Sequence, residues 1–281
     1  MTKDSLGDRM KNYEGRSQTY LPLRTYTMIR LDGKAFHTYT KGCKRPFDLE
    51  LMSDMDNTAK YLCENIQGCK LAYIQSDEIT LVLGDFTTIQ TDAWFDGNVQ
   101  KIASISAAMA TAKFNQLRIA RNLISRAEEV QQRHQECLDR TEWTHLTLDA
   151  TPLIEEKLAF FDSRCWVIPD PVEVHNCLVW RQQDATRNSI QMTGQAHFSH
   201  KQLQGKSCNE IQEMLWQEKN INWNDQPIGF KRGRCVIKET YQTLDTYKND
   251  GTMVERARWI IVDPPVFSKE PDWVWEFVPK L

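Results

Sequence analysis

Two strand-like runs, KLAYIQ (70–75) and ITLVLGDF (79–86), are separated only by Ser76, Asp77 and Glu78. So short a break between β-rich segments predicts a tight antiparallel hairpin. Everything else in the first 170 residues has to be arranged around it. Residues 25–32 (TYTMIRLD) form another strand-like run, which Gly33 stops. Between this strand and the hairpin, Leu51, Met52, Met55, Ala59, Leu62 and Ile66 recur at helical spacing until Gly68. After the hairpin a second helix is expected from Thr91, with Asp92 near its first turn. It carries Trp94, Phe95, Val99, Ile102, Ile105, Met109 and Phe114 on its apolar side. Residues 126–156 are polar and weakly patterned, and read as a connection with a helical end. A last strand, 159–168, runs into Pro169-Asp170-Pro171.

The order strand, helix, hairpin, helix, strand predicts an α+β fold: an antiparallel sheet with its helices packed on one face and the other face open for chemistry. Beyond Pro171 a helical region to about His197 precedes a helix whose start carries the capping box Ser207-Cys208-Asn209-Glu210. Two strand-like runs then flank Asp250-Gly251, a second hairpin signal. The Trp273 and Trp275 tail is expected to be extended and to dock by its aromatics. The expected division is 1–170, a catalytic layer, and 171–281, a helical and β-hairpin extension integrated with it as one compact unit.

Of the 281 residues 41% are apolar, enough for a large core. No apolar run approaches the roughly 20 residues a spanning helix needs, so a soluble, cytoplasmic protein without membrane contact is expected. The eight cysteines show no CxxC spacing, so reduced and mostly buried thiols are expected rather than disulfides or zinc. The fragments His175-Asn176-Cys177 and His197-Phe198-Ser199-His200 have no second pair at zinc-finger spacing. A formal charge of −3 argues mildly against a nucleic-acid partner. Local clusters (Lys41, Lys44 and Arg45; Arg118, Arg121 and Arg126; Lys231, Arg232 and Arg234) are either phosphate-binding patches or solvated faces.

The chemistry-bearing residues are LDG (31–33), ending the first strand, and QSDE (75–78), at the hairpin tip. If the two tips meet, side-chain alternation lets only one of Asp77 and Glu78 join Asp32 on the open face, and Asp77 is favoured. Two carboxylates brought together repel. Mg²⁺ relieves that repulsion, prefers hard oxygen ligands and shares them with substrate phosphates. Two such ions activate an attacking hydroxyl and steady a leaving group. Gly33 lets the backbone approach a triphosphate and offers a carbonyl to a metal; amides from Lys34 to His37 are candidate phosphate donors. The same short motifs also occur at ordinary turns, and His37 alternatively reads as a satisfied, partly buried imidazole.

In IRLDGKAFHTYT (29–40), RPFD (45–48), YIQSDEITLVL (73–83), FDSRCWVIPD (161–170), VWRQQDATRNSI (179–190) and INWNDQPIGFKRG (221–233), the chain resembles the tRNA-His guanylyltransferases and their guanylyltransferase-like, reverse-polymerase relatives. The resemblance implies a polymerase-like palm with two Mg²⁺ ions. It also implies ATP-dependent activation of a tRNA 5′-monophosphate, followed by attack of the 3′-hydroxyl of GTP or another NTP. Carried onto this sequence, Asp32 and Asp77 are the catalytic metal ligands and Gly33 a carbonyl ligand. Lys34, Ala35, Phe36, His37 and Ser76 hold the triphosphate together with Asp32, Gly33 and Asp77. Arg45, where the family usually has Lys, Lys101 and Asn188 are further phosphate or transfer contacts. A homotetramer, a dimer of dimers, is implied as well.

One departure matters. The family's His-Ile-Asn-Asn-Leu-Tyr-Asn motif is replaced by Thr186-Arg187-Asn188-Ser189-Ile190-Gln191-Met192, without the His. This favours the branch that repairs tRNA 5′ ends by templated addition, with single-G addition at position −1 of tRNA-His as the alternative. A noncatalytic RNA-recognition module and a nucleotide cyclase are competing classes. The acids at the strand ends argue against the module, and the tRNA-linked blocks against the cyclase.

Overall fold

A computed structural model describes residues 5–139, 157–247 and 253–280. A six-stranded, wholly antiparallel sheet forms its centre, in the order β4-β1-β3-β2-β5-β6. Its strands are β1 (Tyr26–Gly33), β2 (Cys69–Gln75), β3 (Glu78–Gly84), β4 (Phe161–Ile168), β5 (Arg234–Tyr247) and β6 (Met253–Val262). The helices are α1 (Ser5–Gly15), α2 (Phe36–Tyr39), α3 (Leu49–Asn65), α4 (Val99–Asp139), α5 (Pro171–His197), α6 (His200–Leu203), α7 (Cys208–Lys219) and α8 (Ile228–Arg232). β5 and β6, from the C-terminal third, extend the same sheet that β1 to β4 build. The tip expected at Asp250-Gly251 lies outside the described residues, as does the part of the 126–156 connection beyond Asp139.

The α+β class and the antiparallel sheet agree with the sequence. The open face does not. Ile29 and Leu31 of β1 point with Ile74, Ile79 and Leu81 into a core closed by Met55, Ala59 and Leu62 of α3 and Phe114 of α4. Tyr26 and Met28, on the other face, meet Tyr73, Val82, Val174 and Leu178 of α5, and Phe267, Val274 and Val278 of the tail. The expected aromatic docking of the tail is what closes this face: Tyr26 donates its hydroxyl to the carbonyl of Pro279 (2.8 Å). The signal was in the hairpin, where five consecutive residues of β2 and six of β3 are buried. A run without alternation marks a strand covered on both faces.

Two helix boundaries also moved. α4 begins at Val99, where Asn98 accepts from the Lys101 amide (3.0 Å), and Trp94–Gly97 is a 3-10 turn with Phe95, Asp96 and Gly97 at positive φ. It then continues to Asp139 through a mostly exposed stretch read from sequence as connection. Arg, Glu, Gln and Ala have good intrinsic helix propensity and carry it without an apolar stripe. The capping box of α7 is present, with Ser207 and Glu210 bonded reciprocally, and Ser199 caps α6. Among the described residues no helix is long and apolar enough to cross a membrane.

The two helices of the first face are cross-linked by charge. Asp54 of α3 is fully buried and takes hydrogen bonds from Arg118 (3.0 Å) and Arg121 (2.7 Å) of α4. This cluster therefore holds helices together rather than forming a phosphate patch. Replacing Arg118 and Arg121 together by Met keeps their stems and strands the carboxylate. The double change is expected to cost about 3–5 kcal/mol, against about 1 kcal/mol or less for Arg121→Met alone, where Arg118 remains. Urea unfolding curves measure both, and equal losses would contradict the assignment.

Candidate active site

β1 ends at Asp32 and Gly33 beside the turn that joins β2 to β3. The register pairs Gln75 with Glu78, so the turn is Ser76-Asp77, with Ser76 left-handed at φ 47°. The Gly33 amide donates to the Asp77 carbonyl (3.2 Å), locking the two tips together. Gly33 has no room for a side chain: a Cβ there would lie 2.2 Å from the Phe36 ring. That ring is buried among Tyr39, Phe114 and Phe161 and anchors α2. Ala35, at φ 53°, turns the chain into α2. The amides of Ala35, Phe36 and His37 thus open a helical turn, where N–H groups have no internal acceptor.

Strand alternation does not select Asp77. The register sets Glu78, not Asp77, directly opposite Asp32, and directly paired residues share a face. Glu78 is drawn away by charge, accepting from Arg181 of α5 (2.9 Å) with Arg30 at 3.8 Å. Asp77 is free of alternation because it belongs to the turn. Asp32 and Asp77 line one cleft of about 550 Å³, and Glu78 is absent from its walls.

Of the other residues expected there, Gly33, Ala35, Phe36, His37, Arg45, Ser76 and Asn188 line the same cleft. Phe36 contributes its backbone, since its ring is core. His37 is exposed and bonds Thr38 (3.0 Å), so the buried-imidazole reading does not hold. Asn188 is exposed, 3.4 Å from Asp184. Lys34 and Lys101 do not line the cleft. The Lys34 amide is committed to the Phe160 carbonyl (2.8 Å), which removes it from the candidate phosphate donors, and Lys101 is exposed on the first turn of α4.

Charge tests whether the site suits a cation. Burial raises the Asp77 carboxyl to about 6; hydrogen bonds from its own backbone and Ser76 lower it, and Asp32 and Glu78 raise it further. Among the described residues neither Asp32 nor Asp77 has a basic partner within ion-pair distance. No group of three metal-ligating side chains converges among them either. Two carboxylates with a backbone carbonyl form the sparse protein ligand set that Mg²⁺, which keeps waters and substrate phosphates, accepts. The residues fit such an ion.

Sequence reading missed the far end of the cleft. Phe47 and Phe230 stack there, 4.4 Å between centroids and 19° between planes. Lys231 and Arg234, read as a basic cluster, are buried and internally bound, Lys231 to the Asn224 carbonyl (2.5 Å) and Arg234 to Asp56 (2.5 Å). Lys44, Arg45 and Arg234 of the three expected patches border the cleft, and of these Arg234 is bound to Asp56. No local pattern foretold the pairing of Phe47 with Phe230 or of Arg234 with Asp56, because the partners lie far apart in sequence.

Paired acids in a nucleotide-sized cleft beside unpaired amides make the arrangement of a nucleotidyltransferase. The profile of the family described as tRNAHis guanylyltransferase (Thg1) matches residues 7–169, more than half of the chain. A bacterial tRNA(His) guanylyltransferase-like protein solved in complex with ATP is 41% identical, covering 98% of this chain and 99% of that one at a TM-score of 0.77. Another such structure, in complex with GTP, is 39% identical, covering 99% and 100% at a TM-score of 0.73. The tRNA(His) guanylyltransferase of Saccharomyces cerevisiae is 27% identical over 227 residues, 76% of this chain and 83% of its own length. The chain belongs to the tRNAHis guanylyltransferase (Thg1) family, whose members are nucleotidyltransferases.

Since the folded-state pKa of Asp77 lies above that of an unfolded aspartate, its ionisation opposes folding. The stabilising contribution of its neutral form is full below about pH 4 and is lost as pH rises through 6. The metal-free protein is expected to lose on the order of 2 kcal/mol across that interval. Asp77→Asn should flatten the slope and exceed the parent in stability at about pH 7.5. Chemical unfolding in a chelator across this range measures both, and a slope unchanged by the substitution would count against the burial of Asp77.

Proposed function

We propose that the protein extends the 5′ end of tRNA by template-dependent 3′-5′ nucleotide addition after ATP-dependent activation of the 5′-monophosphate. The observation that carries the templated reading concerns the segment departing from the family pattern, Thr186–Met192. It runs along α5 on the wall of the cleft, with Asn188, Ser189 and Met192 facing the space that Asp32 and Asp77 also face. The motif tied in the family to single-G addition is thus altered where an incoming nucleotide would lie. The likeness to proteins solved with ATP and with GTP supports the choice of nucleotides.

In this reading Asp32, Asp77 and the Gly33 carbonyl hold two Mg²⁺ ions, which when bound supply charge for the attacking hydroxyl and the leaving group. The Ala35, Phe36 and His37 amides and the Ser76 hydroxyl orient the triphosphate, and Arg45 and Asn188 meet phosphates near the mouth. Lys34 and Lys101 contribute from outside the cleft. Residues 1–170 act as a palm and 171–281 as its integrated extension, and four chains assemble as a dimer of dimers in the cytoplasm.

A 5′-truncated, 5′-monophosphorylated tRNA incubated with ATP, the four NTPs and Mg²⁺ is expected to lengthen only to the end of its paired stem. Absence of extension, even from a 5′-triphosphorylated substrate, would remove the proposal. Changing the opposing base separates it from the alternative, because single-G addition at position −1 is indifferent to that base. Asp32→Ala and Asp77→Ala should each reduce addition by about a hundredfold or more, in proteins whose unfolding curves stay cooperative.

A further inference from the structure

Outside the carboxylate end, the cleft has a second built feature, the stacked rings of Phe47 and Phe230. They come from different parts of the fold. Phe47 lies in the loop before α3, whose N-cap Asp48 accepts from the amides of Glu50 and Leu51 (both 3.0 Å). Phe230 lies in α8, just ahead of β5. Neither ring belongs to the hydrophobic clusters of the core; both are partly exposed and line the cleft.

The scaffold beneath them is rigid. Arg234, at the start of β5, donates through Nε to Asp56 of α3 (2.5 Å) and through Nη1 to the carbonyl of Gly229 (3.1 Å), the residue before Phe230. The same guanidinium therefore ties the helix that follows Phe47 to the helix that carries Phe230. Gly229 lets its stem pass: a Cβ there would lie 3.0 Å from Arg234 Cγ and Cδ. The next glycine is equally constrained. Gly233 sits at φ +79°, where a Cβ would fall 2.5 Å from the Ile74 carbonyl oxygen, so α8 and β5 are held close against β2.

Sheet order puts the two ends on different elements. β1 bears Asp32, the β2–β3 turn bears Asp77, and β5 follows β2 on the side away from β1. The carboxylates and the two rings line one cleft of about 550 Å³, within the range of small-molecule sites. One end offers acids and free amides, the other two aromatic faces on a braced support.

We propose that Phe47 and Phe230 form the stacking platform for the nucleobase of the nucleoside triphosphate whose phosphates lie at the Asp32 and Asp77 end. The inference rests on the nucleotidyltransferase reading of the cleft and adds to it the means of holding the base. Stacking is indifferent to base identity because every base has a π-face, so the platform suits an enzyme that takes its choice of nucleotide from a template.

The test is calorimetric titration of the purified full chain with ATP, GTP, CTP, UTP and, separately, inorganic tripolyphosphate, all with Mg²⁺. Phe230→Ala is expected to weaken all four nucleotides by about tenfold, purines most, and to leave tripolyphosphate unchanged. Phe230→Tyr should restore binding, whereas Phe230→Leu, apolar but without a π-face, should not. Equal loss for tripolyphosphate, full rescue by Leu, or unchanged nucleotide affinity would each overturn the platform. If Phe230→Ala does not fold, Phe47→Ala, on a separate element, is read by the same titrations and criteria. A parent protein that binds no nucleotide at all would instead overturn the underlying reading of the cleft.

Discussion

The ion pair between Arg181 and Glu78 decides what the active end of this sheet presents. β1 and β3 are registered so that Asp32 faces Glu78, and an unopposed Glu78 would stand beside the cleft. Arg181, almost fully buried and lying 3.5 Å over the Trp180 ring, takes that carboxylate instead. Buried pairs contribute little net stability because desolvation offsets attraction, while breaking one leaves a charge without compensation. Its worth is geometric: it spans residues 103 positions apart, fastening α5 to the hairpin tip. Asp77, in the turn itself, is left as the carboxylate beside Asp32.

The same division of charge runs through the molecule. Arg118 and Arg121 are spent on Asp54, Arg234 on Asp56, and Lys231 on a carbonyl. Asp32 and Asp77 share a cleft in which, among the described residues, neither has a basic side chain in ion-pair contact. Desolvation and like charge then push Asp77 up to about 6. A fold that pairs Asp54, Asp56 and Glu78 with guanidinium groups and leaves Asp32 and Asp77 without one concentrates negative charge at the cleft. In the function proposed for the cleft, a divalent cation carried with a polyphosphate would relieve it.

How far this was legible depends on the range of the interaction. The hairpin, the LDG strand end, the α3 stripe and the capping box of α7 are local patterns, and each appears where its residues place it. Asp32, Gly33, Ser76, Asp77 and the α2 backbone were readable for the same reason. The start of α4 was not, because Asn98 and a left-handed turn displaced it from Thr91. The covered second face was half legible, in hairpin runs too apolar for a strand facing water. Phe47 and Phe230 lie in two of the blocks that carry the resemblance, but nothing local announced that they meet, more than 180 residues apart.

Sequence alone therefore determined the antiparallel class, the order of elements around the hairpin and the two acidic turns, since propensity, periodicity and turn chemistry act over a few residues. Tertiary structure decided which acid enters the cleft, which basic residues remain free and where the aromatic end lies. Those outcomes rest on cross-strand register and on charge pairs between distant segments, and a pairwise contact has no energy until the chain has brought both partners together.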